Sequence, residues 1–229
     1  MEKSFDPRSF DHIAESFDSV ASLQERPRFF LDHLPNRRRR ALDIGCGSGI
    51  LAEELSRHFD SVLAIDISEA MLRLARKKRS APNIHYRCAD ANALSIDGEF
   101  DLIASHTTFH HLENVQHTLR ALISLLAPGG RLVVVDVSRE WKPPSSVSVL
   151  GSFIMAVPNA FRLGPSAAWR ILRFETSKEW LEHVAADRFL TNSEFRSVYG
   201  KVLPGATFSQ WDYYVGVVWH APPAREPAA

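Results

Sequence analysis

The chain has 229 residues, 45% of them hydrophobic, and its 27 basic and 27 acidic side chains leave no formal net charge. That length buries one good core with a lid and is too short for two full-sized domains. With no overall field to draw in nucleic acid or anionic lipid, a nucleic-acid partner is not expected. The two cysteines, Cys46 and Cys88, have no spaced disulfide framework and read as reduced thiols. Met1 to Ser4 open no apolar signal segment, and no run approaches the roughly 18 apolar residues of a membrane span. The expectation is a cytoplasmic protein with no integral membrane segment.

Taken in order, Asp6-Pro7 reads as a cap with proline at the first helical position, and Phe10, Ile13, Ala14 and Phe17 recur on one helical face. A short helix through Phe29, Phe30 and Leu34 follows, so residues 1–35 read as cap helices. Arg37 to Arg40 read as a solvated basic edge with no ligand. Leu42-Asp43-Ile44-Gly45-Cys46-Gly47-Ser48-Gly49 then runs an apolar strand into three glycines and a helix. Such a turn reaches positive φ, puts no Cβ between chain and ligand, and offers free helix N–H groups, so a ligand is expected there. Leu51 and Leu55 should pack that helix on the sheet.

The strand Val62 to Ile65 ends in Asp66, a carboxylate about 20 residues beyond the glycines that suits two ribose hydroxyls. Ser68 is available as the cap of the next helix, leaving Asp66 free to point over the sheet edge. That helix, from Ser68 or Glu69 to Arg79, has an acid in its first turn and Arg76 to Arg79 in its last, matching the helix dipole. After Ile84-His85-Tyr86, Asp90 can accept from an exocyclic amine. Asp97-Gly98 turns into the strand Phe100 to Ser105, Asn114 caps a helix predicted to reach Ala127, and Leu126-Ala127-Pro128-Gly129-Gly130-Arg131 leads into Leu132 to Val135. Alternating strands and helices imply a doubly wound, mostly parallel α/β sheet with ligands at the carboxyl ends of its strands, where Ser105 and His106 lie.

The glycine turn, Asp66, Asp90 and the Leu126 to Val135 run, in that order over roughly residues 10 to 138, closely resemble the class I S-adenosylmethionine-dependent methyltransferase family. The resemblance implies a seven-stranded Rossmann-like methyltransferase fold and S-adenosylmethionine as cofactor. It lays the Gly45, Cys46, Gly47 and Gly49 backbone along the methionine part, with Asp43 near the ammonium group and Asp66 on the ribose. Asp90 and Ala91 meet the adenine, Ile67 and Met71 form apolar walls, and Ser105 ends the fourth strand beside the site. The competing nicotinamide fingerprint wants glycine at position 50, where this chain has Ile50.

Chemistry is expected in Ser105-His106-Thr107-Thr108-Phe109-His110-His111-Leu112, after the fourth strand. Relatives that methylate adenine carry an Asn-Pro-Pro-Tyr type motif there, and its absence argues against a nucleic-acid base. His106 or His110 could accept the acceptor's proton, or the histidines could cap the next helix. A metal held by His106, His110 and His111 is not expected, because metal-dependent relatives place a carboxylate where His106 stands.

Residues 36–138 thus read as the cofactor-binding core and 139–187 as a helical lid that sets substrate specificity. In the lid, Ser145 or Ser146 caps an apolar helix through Val157 that Pro158 stops, Gly164-Pro165 breaks the chain, and Thr176 with Glu179 reads as a capping box. Its apolar surface suits a pocket for an aromatic or aliphatic small molecule, a homodimer contact, or a membrane contact. Thr191 with Glu194 is a second capping box, with Leu190 and Phe195 as a hydrophobic staple. Residues 188–220 then close the fold with a helix and an antiparallel hairpin, and 221–229 read as a disordered tail. The expected function is methyl transfer to a small, apolar or aromatic metabolite. The alternatives are a non-methylating or assembly protein that keeps the cofactor pocket, and a membrane-associated quinone or lipid methyltransferase.

Overall fold

The computed structural model describes residues 11–23, 28–141 and 145–223. Its strands are β1 (Arg40–Ile44), β2 (Ser61–Asp66), β3 (Ile84–Cys88), β4 (Phe100–His106), β5 (Leu126–Val137), β6 (Thr207–Trp211) and β7 (Tyr214–His220). They form one sheet in the order β3-β2-β1-β4-β5-β7-β6. β1 to β5 pair in parallel, and β7 runs antiparallel to both β5 and β6.

Side chains alternate across a strand, and here both faces are apolar because both are covered by helices. Leu42, Ile44, Ile103, Leu132 and Val134 enter one buried cluster, beneath α5 (Val115–Ser124) and α9 (Asn192–Gly200). Ala41, Leu102, Ala104, Val133 and Val135 enter the other, with Leu51 and Leu55 of α3 (Ile50–Ser56), Leu72 of α4 (Glu69–Lys78) and Phe30 of α2 (Arg28–Leu31).

Several expectations from sequence are met at the caps. Ser68 accepts from the Met71 N–H, Asn114 from the His117 N–H at 3.0 Å, and Thr191 with Glu194 closes a reciprocal capping box. Others are corrected. α5 stops at Ser124 rather than Ala127, because Leu126 already belongs to β5. Thr176 does not open α8 (Lys178–Ala186): its hydroxyl bonds back to Leu172 O, and Ser177 caps the helix by accepting from the Trp180 N–H. Pro158 lies inside α6 (Ser145–Leu163) instead of ending it. Proline removes one intrahelical bond, and Pro158 sits on an exposed stretch of a helix continued on both sides. α7 (Pro165–Glu175) starts after Gly164, whose φ is +86°.

The basic run before β1 is not a free edge. Arg37 pairs with the buried Asp101, the backbone N–H groups of Arg39 and Arg40 donate to Asp101 Oδ2 at 2.7 and 3.1 Å, and the Arg40 guanidinium lies 4.5 Å over the Phe100 ring. One carboxylate thereby fixes the start of β1 to β4. The tail is tied down at its beginning, where Ala221 N–H donates to Gly130 O and Gly129 N–H to Pro222 O. The expected cap at Asp6-Pro7, Phe10, and the tail from 224 onward lie outside the described residues.

α1 (Ala14–Ala21) crosses the glycine turn and is held there by Asp18, which is 2% exposed. Asp18 accepts from Ser48 Oγ at 2.6 Å, Arg79 at 2.7 Å and Lys78 at 2.7 Å. Burial opposes its charge, but Lys78, Ser48 and Arg79 outweigh that and hold its pKa below the usual carboxylate value. Asp18→Ala should destabilise the fold by roughly 3 kcal/mol, since it strands the buried Ser48 hydroxyl and the largely buried Arg79 guanidinium. Thermal unfolding at neutral pH checks this. Because the folded pKa is depressed, the wild-type contribution is present above about pH 4 and is lost as pH falls through the folded value.

Candidate active site

A cavity of about 460 Å³ opens over the carboxyl ends of β1, β2 and β4, roofed partly by Phe17 of α1. The turn after β1 forms its floor. Gly45, Gly47 and Gly49 have φ of +67°, +52° and +84°. A side chain on Gly45 would overlap Thr108, whereas one on Gly47 would meet no protein atom within 4 Å, so the space there is open.

Asp43 sits under this turn, 1% exposed, lining the cavity with a buried Oδ2 that has no hydrogen-bond partner. Burial first, and the nearby Asp66 second, push its pKa up to about 8 against a backbone hydrogen bond from Ala52. Asp66 is less free than sequence suggests. Its Oδ2 accepts from the Gly47 N–H at 2.7 Å and its Oδ1 from the Ser68 N–H at 2.8 Å, so it braces the turn while facing the cavity. Burial still raises its pKa, with the Ser68, Gly47 and Ile67 N–H groups opposing. Asp90 caps a short 3₁₀ turn by accepting from the Asn92 N–H at 2.8 Å, and with Ala91 it forms another part of the wall. Ile67, Met71 and Cys46 also line the cavity, and burial pushes the Cys46 thiol up, keeping it protonated.

Two residues assigned to the cofactor from sequence are not among the cavity's lining residues. Ser105 is fully buried and donates to Ile44 O at 2.8 Å, tying β4 to β1. Gly49 caps α3, and a side chain there would strike the Tyr86 hydroxyl. Cys88 is exposed at the end of β3, also outside the lining.

The other end of the cavity is rich in histidine. His106 packs its ring 5.9 Å from Phe30 and 5.4 Å from Tyr214, with Nδ1 3.2 Å from Thr107 Oγ1. His110 Nδ1 lies 2.6 Å from Oδ1 of Asp136, a carboxylate 5% exposed at the end of β5. His111 Nδ1 lies 3.3 Å from Asp187, which follows α8. His183 Nε2 is 3.9 Å from the same carboxylate. Burial, then His110 and His183, lowers the His111 pKa well below the usual histidine value, and burial, then His110, brings His183 down to about 4. Both imidazoles are therefore neutral at pH 7.

Asp136 and Asp187 were not singled out from sequence. Asp136 carried a signal, being an acid at the end of the apolar Leu132 to Val135 run. Asp187 carried none, because only the return of the lid brings it to His111.

A model of the methyltransferase domain matches residues 42–134. Malonyl-[acyl-carrier protein] O-methyltransferase of Bacillus cereus is 30% identical over 141 residues, which is 58% of this chain and 52% of that protein. Ubiquinone biosynthesis O-methyltransferase of Coxiella burnetii is 29% identical over 120 residues, 51% of each. Residues 42–134 of this chain are a methyltransferase domain of the class I S-adenosylmethionine-dependent type. The chain spans about half the length of these curated relatives. Its whole fold resembles the structure described as the DhpI–SAH complex, with a TM-score of 0.65 and 18% identity over 96% of both chains.

The residues of this domain fit the cofactor of S-adenosylmethionine-dependent enzymes. An unpartnered buried carboxylate oxygen suits an ammonium group, and open space above Gly47 leaves room along the turn.

Proposed function

We propose that this chain transfers the methyl group of S-adenosylmethionine to a small, apolar or aromatic acceptor. The supporting observation is the partnerless Asp43 oxygen beneath the glycine turn, in one cavity with His106 and His110. Asp43 meets the ammonium group, the Gly45 to Gly47 backbone lies along the methionine part, Asp66 faces the ribose, and Asp90 with Ala91 faces the adenine. When bound, the cofactor supplies the electrophilic methyl carbon for in-line displacement. Holding the acceptor in line is worth roughly 7 to 11 kcal/mol, more than the 10²- to 10⁴-fold contribution of a base. His106 and His110 both border the acceptor space, and the imidazole of either can take the proton that the acceptor releases.

Calorimetry on ligand-stripped protein with S-adenosylmethionine, S-adenosylhomocysteine and a nicotinamide dinucleotide tests this reading. Micromolar binding of the adenosyl ligands alone is expected, followed by methyl transfer in a screen of aromatic and aliphatic acceptors. Cofactor binding without transfer to any acceptor would favour a non-methylating role. Asp66→Ala should weaken S-adenosylmethionine binding by roughly 1 to 3 kcal/mol. It should also lower stability, because it frees the Gly47 and Ser68 N–H groups.

A second reading, a membrane-borne acceptor, is favoured by the lid surface. Phe161, Ile154 and Trp169 are 90%, 64% and 60% exposed on α6 and α7, among the exposed Arg162, Arg170 and Arg173. Apolar and aromatic side chains beside arginines suit an anionic bilayer surface. Among the described residues no helix is long and apolar enough to cross a membrane. Sedimentation with anionic vesicles is expected under this reading. A dimer that stays off vesicles would assign the surface to a second copy instead.

A further inference from the structure

The cluster at the lid end of the cavity has the composition of a metal centre. Among the described residues, one ligating atom each from His110, His111 and Asp187 lie within 4.8 Å of one another. Their side chains are 6%, 10% and 2% exposed. Two imidazoles and a carboxylate match the donors that zinc and its neighbours take, with three protein ligands leaving one position open. The surroundings match as well. Asp136, 2.6 Å from His110 Nδ1, leaves the opposite ring nitrogen, Nε2, facing Asp187 at 3.9 Å. A carboxylate behind a ligating histidine in this way fixes the ring and strengthens the ligand. Both imidazoles also border the cavity.

We propose that His110, His111 and Asp187 bind one divalent transition-metal ion of the zinc class, oriented by Asp136 and with His183 beside Asp187. Such an ion joins the lid, through Asp187 after α8, to the core, through the segment after β4. Resting on the methyl-transfer reading, it also offers its open position to an acceptor oxygen, whose proton it makes easier to remove. His110 is then a ligand, and His106 is left as the proton acceptor.

The test uses the full chain, stripped with chelator and titrated with Zn²⁺ alone by calorimetry and metal analysis. One ion per chain is expected. His111→Ala and Asp187→Asn should abolish stoichiometric retention, and Asp136→Asn should weaken it about 10- to 100-fold. Substituted Co²⁺ should show the intense visible d–d absorption of a four-coordinate nitrogen and oxygen site. No retained zinc in the wild type, or equal retention in the folded His111→Ala variant, overturns the proposal. If the variants fail to fold, the wild-type Co²⁺ spectrum decides, and a six-coordinate aquo-like spectrum is the overturning result. Zinc binding and S-adenosylmethionine binding are read separately on the wild type, so failure of the metal centre and failure of the methyltransferase reading give different results.

Discussion

Asp43→Asn should cost S-adenosylmethionine roughly 2 kcal/mol of affinity, about thirtyfold, while making the ligand-free protein more stable at pH 8. The opposite signs have one cause. Asp43 is buried beside Asp66 and its Oδ2 has no partner, which is why its pKa rises to about 8. Between the ordinary carboxylate value near 4 and pH 8, the folded state keeps a proton that the unfolded state has lost. Stability therefore falls as pH rises through that window, at up to about 1.4 kcal/mol per pH unit. Asparagine does not titrate, so the variant should show a flatter slope, read from denaturant unfolding at pH 5 to 8. A bound ammonium group relieves the same strain in the wild type, so saturating cofactor should flatten the slope too. Unchanged affinity in Asp43→Asn would put the ammonium group elsewhere.

Gly45→Ala and Gly47→Ala should fail in different ways, although both positions have positive φ and lie two residues apart. At Gly45 the new methyl overlaps Thr108, whose hydroxyl donates to Gly45 O and His106 O. Left-handed backbone costs about 1 to 2 kcal/mol and overpacking about 1 to 3 more, so a loss of roughly 2 to 5 kcal/mol is expected in thermal or denaturant unfolding. At Gly47 no protein atom stands within 4 Å, so only the backbone cost remains, about 1 to 2 kcal/mol. The methyl instead occupies cavity space, and cofactor affinity should drop in a protein that still folds. Equal stability losses at the two positions would mean that the turn relaxes around Thr108.

The sheet was legible because its signals are local and periodic. Apolar strands with glycine, serine or asparagine at their ends, and helices with capping residues, follow from side-chain alternation and from unpaired N–H groups at helix starts. Thr191 with Glu194 is such a signal: both partners lie within one turn, and the reciprocal bonds form as expected. Thr176 with Glu179 has the same spacing, yet α8 starts one residue later because Thr176 still closes α7 as its C-cap, its N–H donating to Leu172 O, and the extended Ser177 caps α8 instead. A pattern of residue types cannot show that α7 claims Thr176. Pro158 misled for a related reason, since a helix long enough on both sides absorbs one missing bond.

The sequence by itself determined the glycine turn, the acids at the ends of β1 and β2, Asp90 after β3, and the order of strands and helices, because each depends on neighbours in the chain. Only the tertiary structure decided what those groups face. It set Asp18 on Ser48, Lys78 and Arg79, and bound Arg37 to Asp101. It turned both oxygens of Asp66 onto backbone N–H groups and left Asp43 Oδ2 without a partner. It also brought Asp136 and Asp187 to the histidines after β4. Asp18, Asp101, Asp136 and Asp187 thereby meet partners 26 to 76 positions away, and their burial makes an unmet charge or hydrogen bond costly. That cost is a property of the packed core, and no local pattern of residues encodes it.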